Sequence, residues 1–168
     1  MNTENLAVLR ANCRELQQGK KSLLLSTQGD EYPEISYAPY VSDDGGFYIF
    51  ISLLAAHTGN LINRPYASIM FIADEGESQN IFARERVIYK CETTEIEKGS
   101  DACIALLDKM EKHFGNIVGM LRGLSDFKLF RLTPREGHYV VGFGKAYTID
   151  LSSGELIHIT KEQVKKGR

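Results

Sequence analysis

The stretch GGFYIFISLLAAHTGNL, residues 45–61, joins a run of aromatic and β-branched residues to a polar segment. Residues of these types favour strands, and the acidic and glycine residues at 43–46 signal a tight turn before the strand at 47–52. A short, strongly apolar strand between turns is typical of antiparallel barrels and sandwiches. The fold therefore depends on how many similar strands flank this one.

The polar segment that follows the strand allows two interpretations. His57, Thr58 and Asn60 belong to a turn whose backbone N–H groups and side chains suit an anionic group. The same residues also commonly cap a helix. We expect a short helix over 60–62 that ends before Pro65.

Strand and helix signals continue on both sides of this stretch. Apolar residues at helical spacing predict an N-terminal helix over 3–18 and a long inserted helix over 99–122, broken near Gly115. Short runs between turn signals predict about seven strands, which lie at 21–28, 33–42, 47–52, 66–74, within 77–98, at 127–134 and at 136–150. We expect the last two to form a hairpin. The pattern favours a mainly β fold, a small closed or nearly closed barrel rather than a doubly wound parallel sheet.

Length and composition fit one globular domain spanning 1–168, with the helix in 1–20 at one end and a flexible tail at 160–168. The chain is 43% hydrophobic and 25% charged, with a net charge of −2. The lack of a sustained basic face argues against nucleic-acid binding, and the lack of a long apolar run argues against a membrane span. We therefore expect a cytoplasmic protein.

The residues that commonly carry chemistry are sparse. His57, His113, His138 and His158 never form the spacings of a zinc site, and no histidine accompanies a GxSxG motif. Three widely spaced cysteines predict small, partly buried residues rather than a disulfide framework or a thiolate metal site.

Two further stretches attract attention. Arg84 and Arg86 occupy alternate positions of a predicted strand, so both point one way and Glu85 points the other. Such a pair is either a solvated face or a bidentate binder of phosphate or carboxylate. Ser36 and Tyr37 lie in mid-strand before Pro39, which fits best at an edge or a bend.

Several motifs together resemble a known family. SYAP, the H-T-x-NL turn, FARxR and SDFxLFRL…VxGFGxA follow one another as in pyridoxamine-phosphate-oxidase-like split β-barrels, over roughly residues 5–160. The chain most resembles the heme-utilisation branch of HugZ/HutZ-type heme oxygenases. The resemblance implies a split barrel of about six to eight antiparallel strands, and a homodimer with two ligand sites in the grooves between protomers.

The resemblance also implies roles for single residues. Arg86 corresponds to an arginine near a heme propionate, and Asp126 to a carboxylate that orients the distal chemistry. Ser22 corresponds to a strand position close to the cofactor, and His57 belongs to the shared turn. The axial iron ligand falls on His158; relatives carry a second histidine where this chain has Gln163.

Three functions follow from this resemblance. The first is heme binding with oxidative opening of the macrocycle, which needs O₂ and an external electron donor. The second is a flavin mononucleotide (FMN) oxidoreductase, in which Arg84 or Arg86, Ser52 and the backbone around Thr58 and Asn60 hold the phosphate. In that case the strand edges around Ser36 and Tyr37 hold the ring. The third is a heme carrier without turnover.

Overall fold

The computed structural model describes residues 3–159, and side chains from Asn5 onward. The elements in chain order are α1 Thr3–Gln18, β1 Ser22–Gln28, β2 Pro33–Asp43, β3 Gly46–Ser52, α2 Ala56–Asn63, β4 Tyr66–Ile72, β5 Arg86–Ile96, α3 Asp101–Phe114, α4 Asn116–Arg122, β6 Phe127–Gly142, β7 Lys145–Ile149 and β8 Leu156–His158. Single 3₁₀ turns lie at Glu75–Glu77 and Ile81–Ala83. The expected helices over 3–18 and 99–122 are confirmed, the second as α3 and α4.

These elements form two compact units, and each is described separately. The first unit takes the chain up to Lys20, then Met70–Lys90, then the chain from Arg135 onward. The second takes Lys21–Ile69 and Cys91–Pro134. The expected tail at 160–168, which includes Gln163, lies outside the described residues.

The second unit contains a closed barrel. The strand order β3-β2-β1-β4-β5-β6 returns to its start because β6 also pairs with β3, from Phe47 opposite Leu132 to Ser52 opposite Phe127. Alternate residues of β1 and β2, such as Leu23, Leu25 and Ala38, are completely or almost completely buried. The prediction of a mainly β split barrel is confirmed, because this closure places one face of every strand in a common core.

Helices α3 and α4 cover the outer face of β3 in the same unit. Leu106, Leu107 and Met110 of α3 pack with Tyr48 of β3 and Leu129 of β6 in one hydrophobic cluster. This packing explains why the strand at 47–52 is apolar on both faces rather than alternating. Helix α3 begins at a proper cap, since the Ser100 hydroxyl accepts a hydrogen bond from the Cys103 N–H.

The first unit contains α1, the adjoining parts of β4, β5 and β6, and the strands β7 and β8. Strands β6 and β7 form a hairpin in which Tyr139 lies opposite Tyr147, and both side chains are fully buried. Cys13 of α1 is also buried. Cys91 and Cys103 are likewise buried, and all three thiols are free, as the sequence predicts, although they are more fully buried than expected.

Two boundaries and one additional strand differ from the prediction. Strand β6 runs unbroken through Pro134, and the hairpin turn lies instead at Phe143–Gly144, where Gly144 adopts a φ of 66°. Pro134 is compatible with extended backbone, so it does not end the strand. Helix α2 begins at Ala56 rather than at residue 60. Strand β8 was not expected; its Leu156 pairs with Ile149 of β7.

Candidate functional site

The end of β3 and the residue before β6 meet at a polar junction in the second unit. The Ser52 hydroxyl donates to the Asp126 carboxylate over 2.5 Å, and the Leu53 N–H donates to the Asp126 carbonyl over 2.8 Å. The Ser52 oxygen in turn accepts from the Leu54 N–H at 3.0 Å. Asp126 is half-buried, and its carboxylate accepts a hydrogen bond from the Ser52 hydroxyl. These hydrogen bonds orient the carboxylate, and an oriented carboxylate is one of the groups that can serve in general acid–base chemistry.

Thr58 makes a hydrogen bond to the backbone of this junction. Its hydroxyl donates to the Ser52 carbonyl at 2.6 Å, and its side chain is completely buried. Asn60 donates to the Thr27 hydroxyl at 3.0 Å, which ties α2 to β1. The predicted turn at 57–60 is thus the first part of a helix. Thr58 uses its side chain to bind the Ser52 backbone, and Asn60 uses its side chain to bind the Thr27 hydroxyl.

His57 lies on α2 with a half-buried ring. Burial lowers the pKa of its imidazole below the ordinary value, while the charge of Glu34 acts in the opposite direction. His57 is therefore neutral near pH 7, and a neutral imidazole can either accept or donate a hydrogen bond.

Ser22 and Ser36 lie on neighbouring strands but on opposite faces. Ser22 lies opposite Pro39 on the outer side of β1 and is exposed. Ser36 lies opposite the fully buried Leu25 and donates to its carbonyl at 3.4 Å. The structure does not bring these two serines to one site.

Arg84 and Arg86 lie in the first unit, and only Arg86 belongs to a strand. Arg84 ends the 3₁₀ turn Ile81–Ala83, and its guanidinium donates to the Ala73 carbonyl at 2.6 Å and pairs with Glu75 at 2.7 Å. Strand alternation therefore does not apply at position 84, and the expectation that both arginines lie on one strand is wrong. The Arg86 Nη1 donates to the Arg84 carbonyl at 2.9 Å. Within residues 3–159 no ion pair is recorded for Arg86.

Glu85, between the two arginines, has a buried partner that sequence reasoning missed. The Tyr139 hydroxyl of β6 donates to the Glu85 carboxylate. The sequence analysis places Glu85 only on the side opposite to the arginines of an assumed strand, whereas the structure begins β5 at Arg86. The partner lies 54 residues away, and no local pattern identifies it.

His158 lies in β8, opposite Tyr147 of β7, and its ring packs edge-on against the Tyr147 ring with centroids 5.3 Å apart. Its Nε2 is 2.9 Å from the Gly144 carbonyl. A carbonyl oxygen only accepts, so Nε2 carries the proton and Nδ1 carries the lone pair of the neutral ring.

Comparison with known protein families shows which family this chain belongs to. The model of the pyridoxamine 5'-phosphate oxidase family matches residues 9–141. The chain belongs to this family.

Within the pyridoxamine 5'-phosphate oxidase family, the relatives include proteins named for heme. The chain is 38% identical over 142 residues to heme oxygenase HutZ of Vibrio cholerae serotype O1, which covers 84% of this chain and 81% of that protein. The crystal structure of HutZ, the heme storage protein from Vibrio cholerae, superposes with a TM-score of 0.75 at 35% identity, over 80% of this chain and 97% of that one. Campylobacter jejuni ChuZ superposes with a TM-score of 0.80 at 29% identity, over 95% of this chain but 64% of that one.

Two further findings concern ligands and membranes. Among the described residues, no three histidine, cysteine, aspartate or glutamate side chains converge as the ligands of a metal ion do. None of the helices within residues 3–159 combines the length and the hydrophobicity of a membrane span.

Proposed function

We propose that this protein binds heme and opens its macrocycle with O₂ and electrons from an external donor. The observation that carries the proposal is the 38% identity to a heme oxygenase over 84% of the chain. Bound heme supplies the iron at which O₂ is activated, and the protein supplies binding, orientation and protons. The roles below are assigned residue by residue.

Arg86 is the residue proposed to hold a heme propionate. Its guanidinium is half-buried, and its recorded partner within the described chain is a neutral carbonyl rather than a carboxylate. The other N–H groups of the guanidinium can therefore bind a carboxylate in bidentate fashion. Arg84 is less suited, because Glu75 and the Ala73 carbonyl already bind its guanidinium.

Asp126 is proposed to orient the distal chemistry together with Ser52. The serine hydroxyl fixes one carboxylate oxygen, and two backbone N–H groups hold the junction rigid. A carboxylate that is held in place can pass a proton through water to a reacting group. Ser52 therefore positions Asp126, and Thr58 positions Ser52.

His158 fits an iron ligand through one of its two ring nitrogens. With Nε2 donating to the Gly144 carbonyl, only Nδ1 offers a lone pair. Ligation through Nε2 instead requires the ring to leave Gly144. His158→Ala should displace the Soret band of the heme complex in either case, and an unchanged spectrum would remove His158 from the ligand role.

A homodimer is proposed on the family resemblance and on one exposed face. Ile35 and Tyr37 of β2 point outward from the barrel of the second unit, with 77% and 66% of their surface exposed. Leu24 lies opposite Tyr37 on the same face. Contiguous exposed apolar patches are typical of protein–protein interaction sites. A second copy of the chain is the proposed occupant, with the ligand sites in the grooves between protomers.

Optical titration tests the proposed function. Protein as isolated is mixed with hemin and, separately, with FMN, and the spectra are recorded before and after addition of ascorbate in air. Heme oxygenase activity predicts a saturable Soret band that decays with ascorbate, whereas a heme carrier predicts a Soret band that persists. An absorbance near 450 nm that copurifies with the protein would indicate the flavin function instead. Cell fractionation tests the proposed cytoplasmic location.

A further inference from the structure

We propose that Tyr139, acting through Glu85, positions the Arg86 guanidinium for the carboxylate of its ligand. This inference rests on the proposed function, since Arg86 is assigned there to a propionate. Tyr139 and Glu85 touch no ligand themselves in this scheme. They are positioning residues of the anion site in the first unit.

The first step is the contact between Tyr139 and Glu85. Tyr139 is fully buried on β6, and its hydroxyl donates to the Glu85 carboxylate. A buried hydroxyl without an acceptor is costly, so this bond fixes both side chains. Burial, then the hydrogen bond to Glu85, raises the pKa of Tyr139, which keeps the phenol protonated as a donor.

The second step is the backbone on either side of Glu85. Its carbonyl accepts a hydrogen bond from the Ala73 N–H at 2.9 Å, and the Ala73 carbonyl accepts from the Arg84 Nε at 2.6 Å. Residue 85 is therefore held at its side chain by Tyr139 and at its main chain by Ala73. Both anchors lie within one unit.

The third step connects this anchor to Arg86. The Arg86 Nη1 donates to the carbonyl of Arg84 at 2.9 Å, and Arg84 is the residue directly before Glu85. A rotation of the peptide that joins Arg84 to Glu85 moves the Arg84 carbonyl and, with it, the start of β5. Loss of the Tyr139 hydroxyl should thus loosen the guanidinium that the carbonyl orients, without removing any charge from the site.

The experiment compares two probes and four proteins. Hemin carries free propionates, and hemin dimethyl ester carries none, so the ratio of their dissociation constants reports recognition of carboxylate. The ratio is measured for the wild type, Tyr139→Phe, Glu85→Gln and Tyr89→Phe. Tyr89→Phe is the matched control, because Tyr89 is also a buried tyrosine of the first unit, but its hydroxyl donates to Gln17 at 3.2 Å.

The expected result is selective. Tyr139→Phe should weaken hemin binding about tenfold, the effect of one hydrogen bond to a carboxylate, and leave the ester unchanged. Glu85→Gln keeps an acceptor for the Tyr139 hydroxyl and should retain most of the hemin affinity. Tyr89→Phe should change neither constant.

Two results would overturn the inference in distinguishable ways. If the wild type binds hemin and the ester equally, the assignment of Arg86 to a propionate fails, and the positioning role falls with it. If the wild type prefers hemin but Tyr139→Phe keeps that preference, or weakens both probes alike, the role of Arg86 stands and the positioning role is wrong. Circular dichroism of each variant shows whether it folds, and Glu85→Ala provides a second removal of the same bond should Tyr139→Phe not fold.

Discussion

The Ser52 hydroxyl lies 2.5 Å from the Asp126 carboxylate and joins the end of β3 to the residue before β6. Ser52 opposite Phe127 is the last pair of the β3–β6 ladder. The bond to Asp126 therefore lies where the two strands begin to separate. A strand end of a closed barrel is a rigid support for a polar group. Ser52 therefore holds the Asp126 carboxylate at a fixed position relative to the end of β3.

Asp126→Asn should therefore bind hemin with nearly wild-type affinity but lose turnover. The amide keeps the shape and accepts the Ser52 hydrogen bond, yet it cannot take up or release a proton. Loss of a positioned acid or base costs about 10²–10⁴-fold in rate. The measurement is the rate of Soret decay with ascorbate in air.

The matched control is Asp30→Asn, because the Asp30 side chain is 95% exposed and pairs only with Arg64 among the recorded ion pairs of residues 3–159. That variant should decay at the wild-type rate. Equal rates for Asp126→Asn and the wild type would exclude Asp126 from the proton chemistry.

The barrel could be predicted because its signals are local. The apolar run at 47–52, the turns that flank it and the helical spacing of 99–122 each occupy a few consecutive residues, and each appears where expected. The end of β6 was wrongly predicted at Pro134. Whether a proline ends a strand depends on whether the neighbouring strand needs an N–H donor at that position, and only the strand pairing reveals this.

The site was less predictable because its contacts are long-range. Ser52 reaches Asp126 across 74 residues, and Tyr139 reaches Glu85 across 54. Ser22 and Ser36 show the same dependence on pairing, since only the register of β1 with β2 reveals that the two serines lie on opposite faces. Resemblance to a family assigned Asp126, but no local pattern would have identified its partner.

The proposed dimer leads to a prediction on the exposed face of β2. Ile35→Glu should lower the apparent mass in light-scattering chromatography from that of two chains to that of one, because a charge buried in an apolar interface lacks a partner. Val8→Glu on α1 changes a similarly exposed apolar residue and should leave the mass unchanged. A wild-type protein that elutes as a single chain would contradict the dimer itself.

Stability should fall in alkali because the second unit buries neutral acids. Burial raises the pKa of the Cys91 thiol from 9.0 to about 12 and that of the Tyr40 hydroxyl from 10.0 to about 12. A folded pKa above the unfolded value means that the stabilisation is complete below pH 9 and is lost as the pH rises toward 12. For Cys91 alone the loss amounts to about 3 kcal/mol by pH 11.

Denaturant unfolding between pH 7 and pH 11 measures this loss. Cys91→Ala should start from a somewhat lower stability at pH 7 but decline less steeply above pH 9, and Tyr40→Phe should flatten the curve above pH 10. Parallel curves for the wild type and Cys91→Ala would show that the thiol does not ionise on unfolding in this range.

The break between α3 and α4 depends on a glycine backbone. Gly115 adopts φ 85° and ψ −166°, a region that is costly for any residue with a Cβ atom, although nothing within 4 Å would obstruct the atom itself. Gly115→Ala should therefore lower the free energy of unfolding by about 1–3 kcal/mol through backbone strain alone. Gly59→Ala is the matched control: Gly59 lies inside α2, also with open space around it. Because alanine favours a helix interior over glycine by up to about 1 kcal/mol, that variant should be as stable as the wild type or more so. If both variants change the free energy of unfolding in the same direction, the backbone conformation of Gly115 does not explain the break between α3 and α4.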